Sequence, residues 1–189
     1  MVIVAVGLSL KGVYPEVSLK AGPGTLTAVA GPAGSGRTSL LLTLAGRMRP
    51  TTGTLAVAGH TRPRAVRKVA ALALVDGVTD LDRALTVKEH LRERRRKPYQ
   101  EALERTGFAV PDTTPVRELD REQQVRLGVA LALLDEPAVI LADNVDAGLP
   151  DDHVRGLWDL LRDLGGDLGT AVVASCVRPP ARYDHLVEL

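Results

Sequence analysis

Cysteine is all but missing from this chain of 189 residues: Cys176 stands alone, which excludes an internal disulfide and fits a reducing compartment. Long apolar runs are missing too. No stretch reaches the roughly 18 apolar residues of a membrane span, and the apolar start at residues 2–6 is too short for a signal peptide and lacks its charged front. A cytoplasmic protein is the expectation. Neither sign of charge prevails, with 24 basic against 23 acidic residues and a net charge of +1, so no basic field argues for nucleic acid and none is expected as a partner. Lysine is the scarce cation, only five of the 24, which lowers the weight of any single Lys-to-Arg exchange without making the two side chains equivalent. Length leaves room for one domain with a real core, about 70% of its unfolded surface being buried at this size, and none for a second full domain.

What is present is alternation. Runs of β character at residues 2–6, 26–30, 53–58, 69–75, 138–142 and 171–175 are separated, in the later part, by stretches long enough for helices. That spacing predicts an α/β chain with a largely parallel sheet. Between residues 86–107 and again over 120–134 the pattern turns helical, edged by Pro98, Gly107, Pro111, Pro115 and Pro137. A mostly helical insert is therefore expected between two parts of the sheet.

After the run at 26–30 come Gly31, Pro32, Ala33, Gly34, Ser35, Gly36, Arg37, Thr38 and Ser39, and then a helical stretch with Leu40, Leu41, Leu42 and Leu44. Strand, glycine-rich loop and helix are the context of a P-loop, in which backbone N–H groups converge on phosphates at a helix N-terminus. One position departs from the pattern. Arg37 stands where it has lysine, so a planar fork replaces a compact charge at the phosphates, and weakened nucleotide affinity is expected rather than none. Thr38 has the hydroxyl that meets Mg²⁺, and Asp143, after the apolar run, is placed to hold the same ion.

The segment from Gly46 to Gly53, the turn Ala58, Gly59, His60, and the stretch Leu85, Thr86, Val87, Lys88, Glu89, His90, Leu91 extend the likeness beyond the loop. Over nearly its whole length the chain resembles the ATP-binding cassette, the nucleotide-binding domain of ABC transporters. The family's signature helix, Walker B strand and following loop can be laid over residues 119–149 without a gap. The resemblance implies an α/β P-loop NTPase fold of ABC type: a largely parallel sheet core, a small antiparallel β part and a helical subdomain. It implies one domain over residues 1–189, with 1–75 and 129–189 as the core and about 76–128 as the helical subdomain. It also disposes of a decoy, because Leu133, Leu134, Asp135, Glu136, Pro137 resembles a Walker B strand but follows the signature too closely. Residues 123–134 are rich in helix formers, so Asp135 and Glu136 are the polar end of a helix and Asp143 is the Walker B aspartate.

The same register exposes departures. Asn144 stands at the catalytic glutamate, and an amide can orient a water but cannot take its proton. Asp76 replaces the Q-loop glutamine, with Mg²⁺ still within its chemistry, and Cys176 replaces the H-loop histidine, where a buried inert thiol is expected. The signature reads Leu119, Asp120, Arg121, Glu122, Gln123; its carboxylates suit a partner's γ-phosphate poorly, while Asp120 with Gln123 makes a helix-capping pair. Pro150 replaces the aspartate that bridges the family's dimer, and Asp151 lies one step off register. Tyr14, the only aromatic before the loop, has two readings, stacking on adenine or packing in the core. The basic run at residues 92–97 also has two, a solvated helix face or a contact with lipid head groups or a membrane subunit.

By resemblance, then, the chain is an ATP-binding subunit taking ATP or ADP with Mg²⁺, paired with itself or another cassette and docked on an integral membrane subunit at the inner face of the plasma membrane. The positions that hold phosphate and Mg²⁺ survive, and those for the water, the γ-phosphate sensor and the trans signature do not. Weak or absent hydrolysis is the expectation. The rivals are a slow ATPase in which Asp146 or Asp151 assists the water, a scaffold subunit without nucleotide, and a soluble P-loop kinase, which leaves residues 119–149 unexplained.

Overall fold

The computed structural model describes residues 1–94 and 98–189. Two sheets carry the chain. β1 (Ile3–Leu10), β2 (Tyr14–Ala21) and β4 (Thr52–Val57) form an antiparallel sheet in the order β2-β1-β4. β3 (Leu26–Ala30), β5 (Ala70–Leu72), β6 (Val139–Ala142), β7 (Ala171–Cys176) and β8 (His185–Glu188) form a second, in the order β5-β6-β7-β3-β8, with every pair parallel. The inner strands of a parallel sheet are covered on both faces, and β3, β6 and β7 are accordingly buried at every residue.

Six helices complete the described chain: α1 (Arg37–Leu44), α2 (Pro63–Val69), α3 (Val87–Arg94), α4 (Gln100–Arg105), α5 (Arg121–Leu133) and α6 (Asp151–Leu168). One apolar cluster joins Leu40, Leu41 and Leu44 of α1 to Ile3 and Leu8 of the antiparallel sheet and to Val29, Leu141 and Val173 of the parallel one. A second, on the opposite face, sets Leu157, Trp158 and Leu161 of α6 and Val125 and Val129 of α5 on Ile140 and Val172. The third lies in the helical lobe, where Val87, Leu91 and Phe108 meet Leu127 and Ala130. α5 thus serves two cores at once. Gly128 makes that possible, since a Cβ there would come within 2.8 Å of the Leu74 backbone nitrogen.

The run at 69–75 is divided, α2 continuing through Val69 and the strand covering only Ala70–Leu72. α5 extends through Leu133, and Glu136 turns at φ 50 before β6, so the decoy at 133–137 is a helix end. Of the basic run at 92–97, Arg92 is exposed on α3 and Arg94 pairs with Asp135 at 2.6 Å, while 95–97 lie outside the described residues.

Candidate functional site

β3 and α1 are joined by residues 31–36, the glycine-rich loop, and the geometry depends on its last member. Gly36 is the N-cap of α1 at φ 96, a left-handed conformation, and a Cβ there would lie 2.4 Å from the Val13 carbonyl. No other residue fits. Arg37 and Thr38 therefore begin the helix, whose first N–H groups are unpaired and favour an anion.

Arg37 is only 7% exposed, and its Nη1 is buried without a hydrogen-bond partner among the described residues; the Ser35 hydroxyl oxygen is in the same condition. A buried guanidinium nitrogen left unpaired is costly, and a phosphate in the loop is a group that its chemistry fits. Beside it the Thr38 hydroxyl donates to Asp143 Oδ2 at 2.6 Å. The pair offers one carboxylate oxygen and one hydroxyl to Mg²⁺, in keeping with an ion that takes few protein ligands and several from phosphate and water. Among the described residues no group of three or more His, Cys, Asp or Glu forms a protein-only metal cage.

Ser175, to which the sequence drew no attention, completes this set. Its hydroxyl donates to Asp143 Oδ1 and accepts from the Asn144 backbone N–H at 2.8 Å. The only signal was its place beside Cys176 at the end of a buried strand. Asn144 itself sits at φ 47, in the left-handed region that Asn tolerates better than most residues. Asp146 Oδ2 accepts from the Val177 N–H at 2.7 Å, while its Oδ1 is buried without a partner among the described residues.

Cys176 is fully buried, and burial, with the nearby Asp146 charge, pushes its thiol up to about 12 against a smaller opposing effect of Arg37. Such a thiol is neither nucleophile nor proton donor. Tyr14 is 4% exposed and donates its hydroxyl to Thr43 Oγ1 at 2.9 Å, and burial raises its phenol above the ordinary range. Of its two readings, the structure supplies the packed one: the ring lies in the core shared with α1, with no open face for a base.

Asp76 pairs with Arg121 at 3.4 Å, while Thr38 and Asp143 bond each other. Arg121 also donates to the Asn144 carbonyl at 3.5 Å. Asp120 caps α5 by accepting from the Gln123 N–H at 2.8 Å, and Gln123 Oε1 accepts from the Asp120 N–H at 3.0 Å. Glu122 accepts from Arg126 Nε at 2.7 Å and lies 2.5 Å from His153 Nδ1 on α6, a bond that raises the imidazole above its ordinary range. Pro150 stands at the N-cap of α6, with Asp151 in the first turn.

The sequence model of the family described as ABC transporter matches residues 14–147. The chain is 31% identical over 172 residues to the cytochrome c biogenesis ATP-binding export protein CcmA of Cupriavidus pinatubonensis, covering 86% of this chain and 76% of that protein. It is 32% identical to the daunorubicin resistance ATP-binding protein DrrA3 of Streptomyces coeruleorubidus, over 83% of this chain and 53% of that one. Several relatives are thus about twice the length matched. A nucleotide-free ATP-binding cassette from an ABC transporter superimposes with a TM-score of 0.83 at 16% identity, over 100% of this chain and 87% of that one. The ATP-binding cassette MJ0796, a dimer bound to ADP and Pi, does so with a TM-score of 0.74 at 21% identity, over 92% and 87%.

Proposed function

Because this chain belongs to the ABC transporter family as an ATP-binding subunit, we propose that it holds ATP with Mg²⁺ in the loop at 31–36 and hydrolyses it slowly or not at all. The observation that carries this reading is the buried, unpartnered Arg37 Nη1 in an otherwise intact cradle. Arg37 and the N–H groups of the first turn of α1 hold the phosphates, and Thr38 and Asp143 hold the ion. Mg²⁺, when bound, neutralises charge on the terminal phosphates. The residues that would act on a water are the weak part. Asn144 has no basic atom to accept its proton, and a thiol near 12 at Cys176 gives no cationic donor.

In this reading the chain closes onto a second cassette, itself or another, and docks on an integral membrane subunit, which keeps it at the inner face of the plasma membrane. The functions named for these relatives, export and resistance, support a transport role and leave the cargo to the membrane subunit. One observation favours a functional ATPase that energises transport instead: Asp146 Oδ1 is a carboxylate oxygen without a hydrogen-bond partner among the described residues, a base of the kind a water proton needs. Phosphate release by the purified chain with its membrane partner separates the two. The binder reading expects a rate at background that Asp143→Ala does not change; release abolished by Asp143→Ala and by Asp146→Asn selects the ATPase.

A further inference from the structure

The N-terminal end of α5 is fastened to its own chain. Asp120 and Gln123 satisfy each other's backbone N–H groups there, and Glu122 is held by Arg126 and His153. Arg121 bonds instead to Asp76 and to the residue after Asp143. Its guanidinium lies 3.4 Å from Asp76 Oδ1 and donates to the Asn144 carbonyl at 3.5 Å, and Asn144 follows the Asp143 that accepts from Thr38. The cation is therefore one residue removed from the pair that would hold Mg²⁺. We propose that Arg121 is a positioning residue of the nucleotide site, acting within its own chain as the counter-ion of Asp76 and so favouring ATP over ADP.

The effect is electrostatic and rests on the nucleotide-binding reading above. Of three positions that depart from the family pattern, 76, 121 and 144, Arg121 bonds each of the other two, and the charges of Arg121 and Asp76 cancel. An isolated carboxylate at position 76 would repel a phosphate chain, the more so the greater its negative charge, and at the edge of a protein site such repulsion is only partly screened. Arg121, whose side chain is 22% exposed against 65% for Asp76, is the more firmly seated member and removes the net charge. Its second bond, to a left-handed residue, also holds the Asn144 carbonyl in place. ATP, with one phosphate more than ADP, gains most from this neutralisation.

The test is calorimetric titration of the purified full chain with Mg-ATP and with Mg-ADP, for wild type, Arg121→Ala, Asp76→Asn and the double variant. Arg121→Ala is expected to lose about tenfold in affinity for Mg-ATP and less than about threefold for Mg-ADP. Adding Asp76→Asn should restore Mg-ATP binding to within about threefold of wild type, because the charge that Arg121 offsets is then gone. Asp76→Asn alone should bind Mg-ATP at least as well as wild type. An unchanged ATP-to-ADP ratio in Arg121→Ala, or a double variant as weak as the single one, overturns the proposal while leaving nucleotide binding intact. A wild type that takes up neither nucleotide overturns both. Nucleotide-free melting within about 3 °C of wild type shows that the effect does not arise from unfolding.

Discussion

Arg37 and Cys176 occupy neighbouring ground and illustrate opposite uses of burial. The guanidinium is buried at the start of α1, after a loop built for anions, with its Nη1 unpartnered among the described residues; the thiol is buried among strands and kept neutral. A thiol pushed up to about 12 should not react with a disulfide reagent at pH 8 in the native protein and should react fully once unfolded, as absorbance of the released thiolate would report. The sign of its pH dependence follows. Its folded value lies above the ordinary value of about 8.5, so the stability it contributes is complete below that pH and is lost as pH rises toward 12. Tyr14 makes the complementary case. Removing its hydroxyl with Tyr14→Phe should cost about 1 kcal/mol in chemical denaturation, through the lost bond to Thr43, and leave nucleotide affinity unchanged. Tyr14→Leu, which removes the ring, should also leave nucleotide affinity unchanged in the folded protein; loss of affinity there would return Tyr14 to the base-stacking role. The sequence left these roles open because burial is decided by what packs over a residue, and an aromatic twenty-three positions before the helix does not announce that it lies under it.

Among the elements, those with unbroken patterns were legible and those at edges were not. β3 matches its run at residues 26–30 because a central parallel strand is apolar throughout. β2 escaped notice since Pro15 interrupts its alternation, and the structure shows why it is tolerated: β2 is an edge strand, where a missing N–H costs nothing. β8, four residues at the other sheet's edge, is too short to carry a pattern. α5 shows a positive use of local signals, for the pair Asp120 and Gln123 marks its start, and its capping box is present. The contact between α5 and α6 was not legible, because Glu122 and His153 lie 31 residues apart. Its pH dependence has a definite sign. The His153 value is raised chiefly by the bond to Glu122, so the contact is at full strength below the ordinary value of about 6.5 and is lost as pH rises through the raised one. Proton NMR titration should find the His153 imidazole above its ordinary range, and Glu122→Gln should bring it down; a value indifferent to that change would show that Glu122 is not the cause.

At the scale of the whole molecule, both sheets border the phosphate loop, and binding there should stabilise what is packed around it. Mg-ATP at about 100 times its Kd should add about 2.7 kcal/mol to unfolding stability, read as a rise in melting temperature, and Arg37→Ala should abolish most of that rise without lowering the nucleotide-free melting point. Equal shifts in both proteins would deny Arg37 its phosphate. The amino-acid sequence by itself determined the α/β class, the phosphate loop, the place of Asp143 and the ABC resemblance, because each resides in local spacing: a glycine-rich turn between strand and helix, an apolar run ending in an acid. Only the tertiary structure decided that Ser175 holds Asp143, that Tyr14 lies in the core, and that Arg121 joins Asp76 to Asn144. Those bonds span tens of residues, and their partners are chosen by how the lobe packs on the sheet, which no local pattern records.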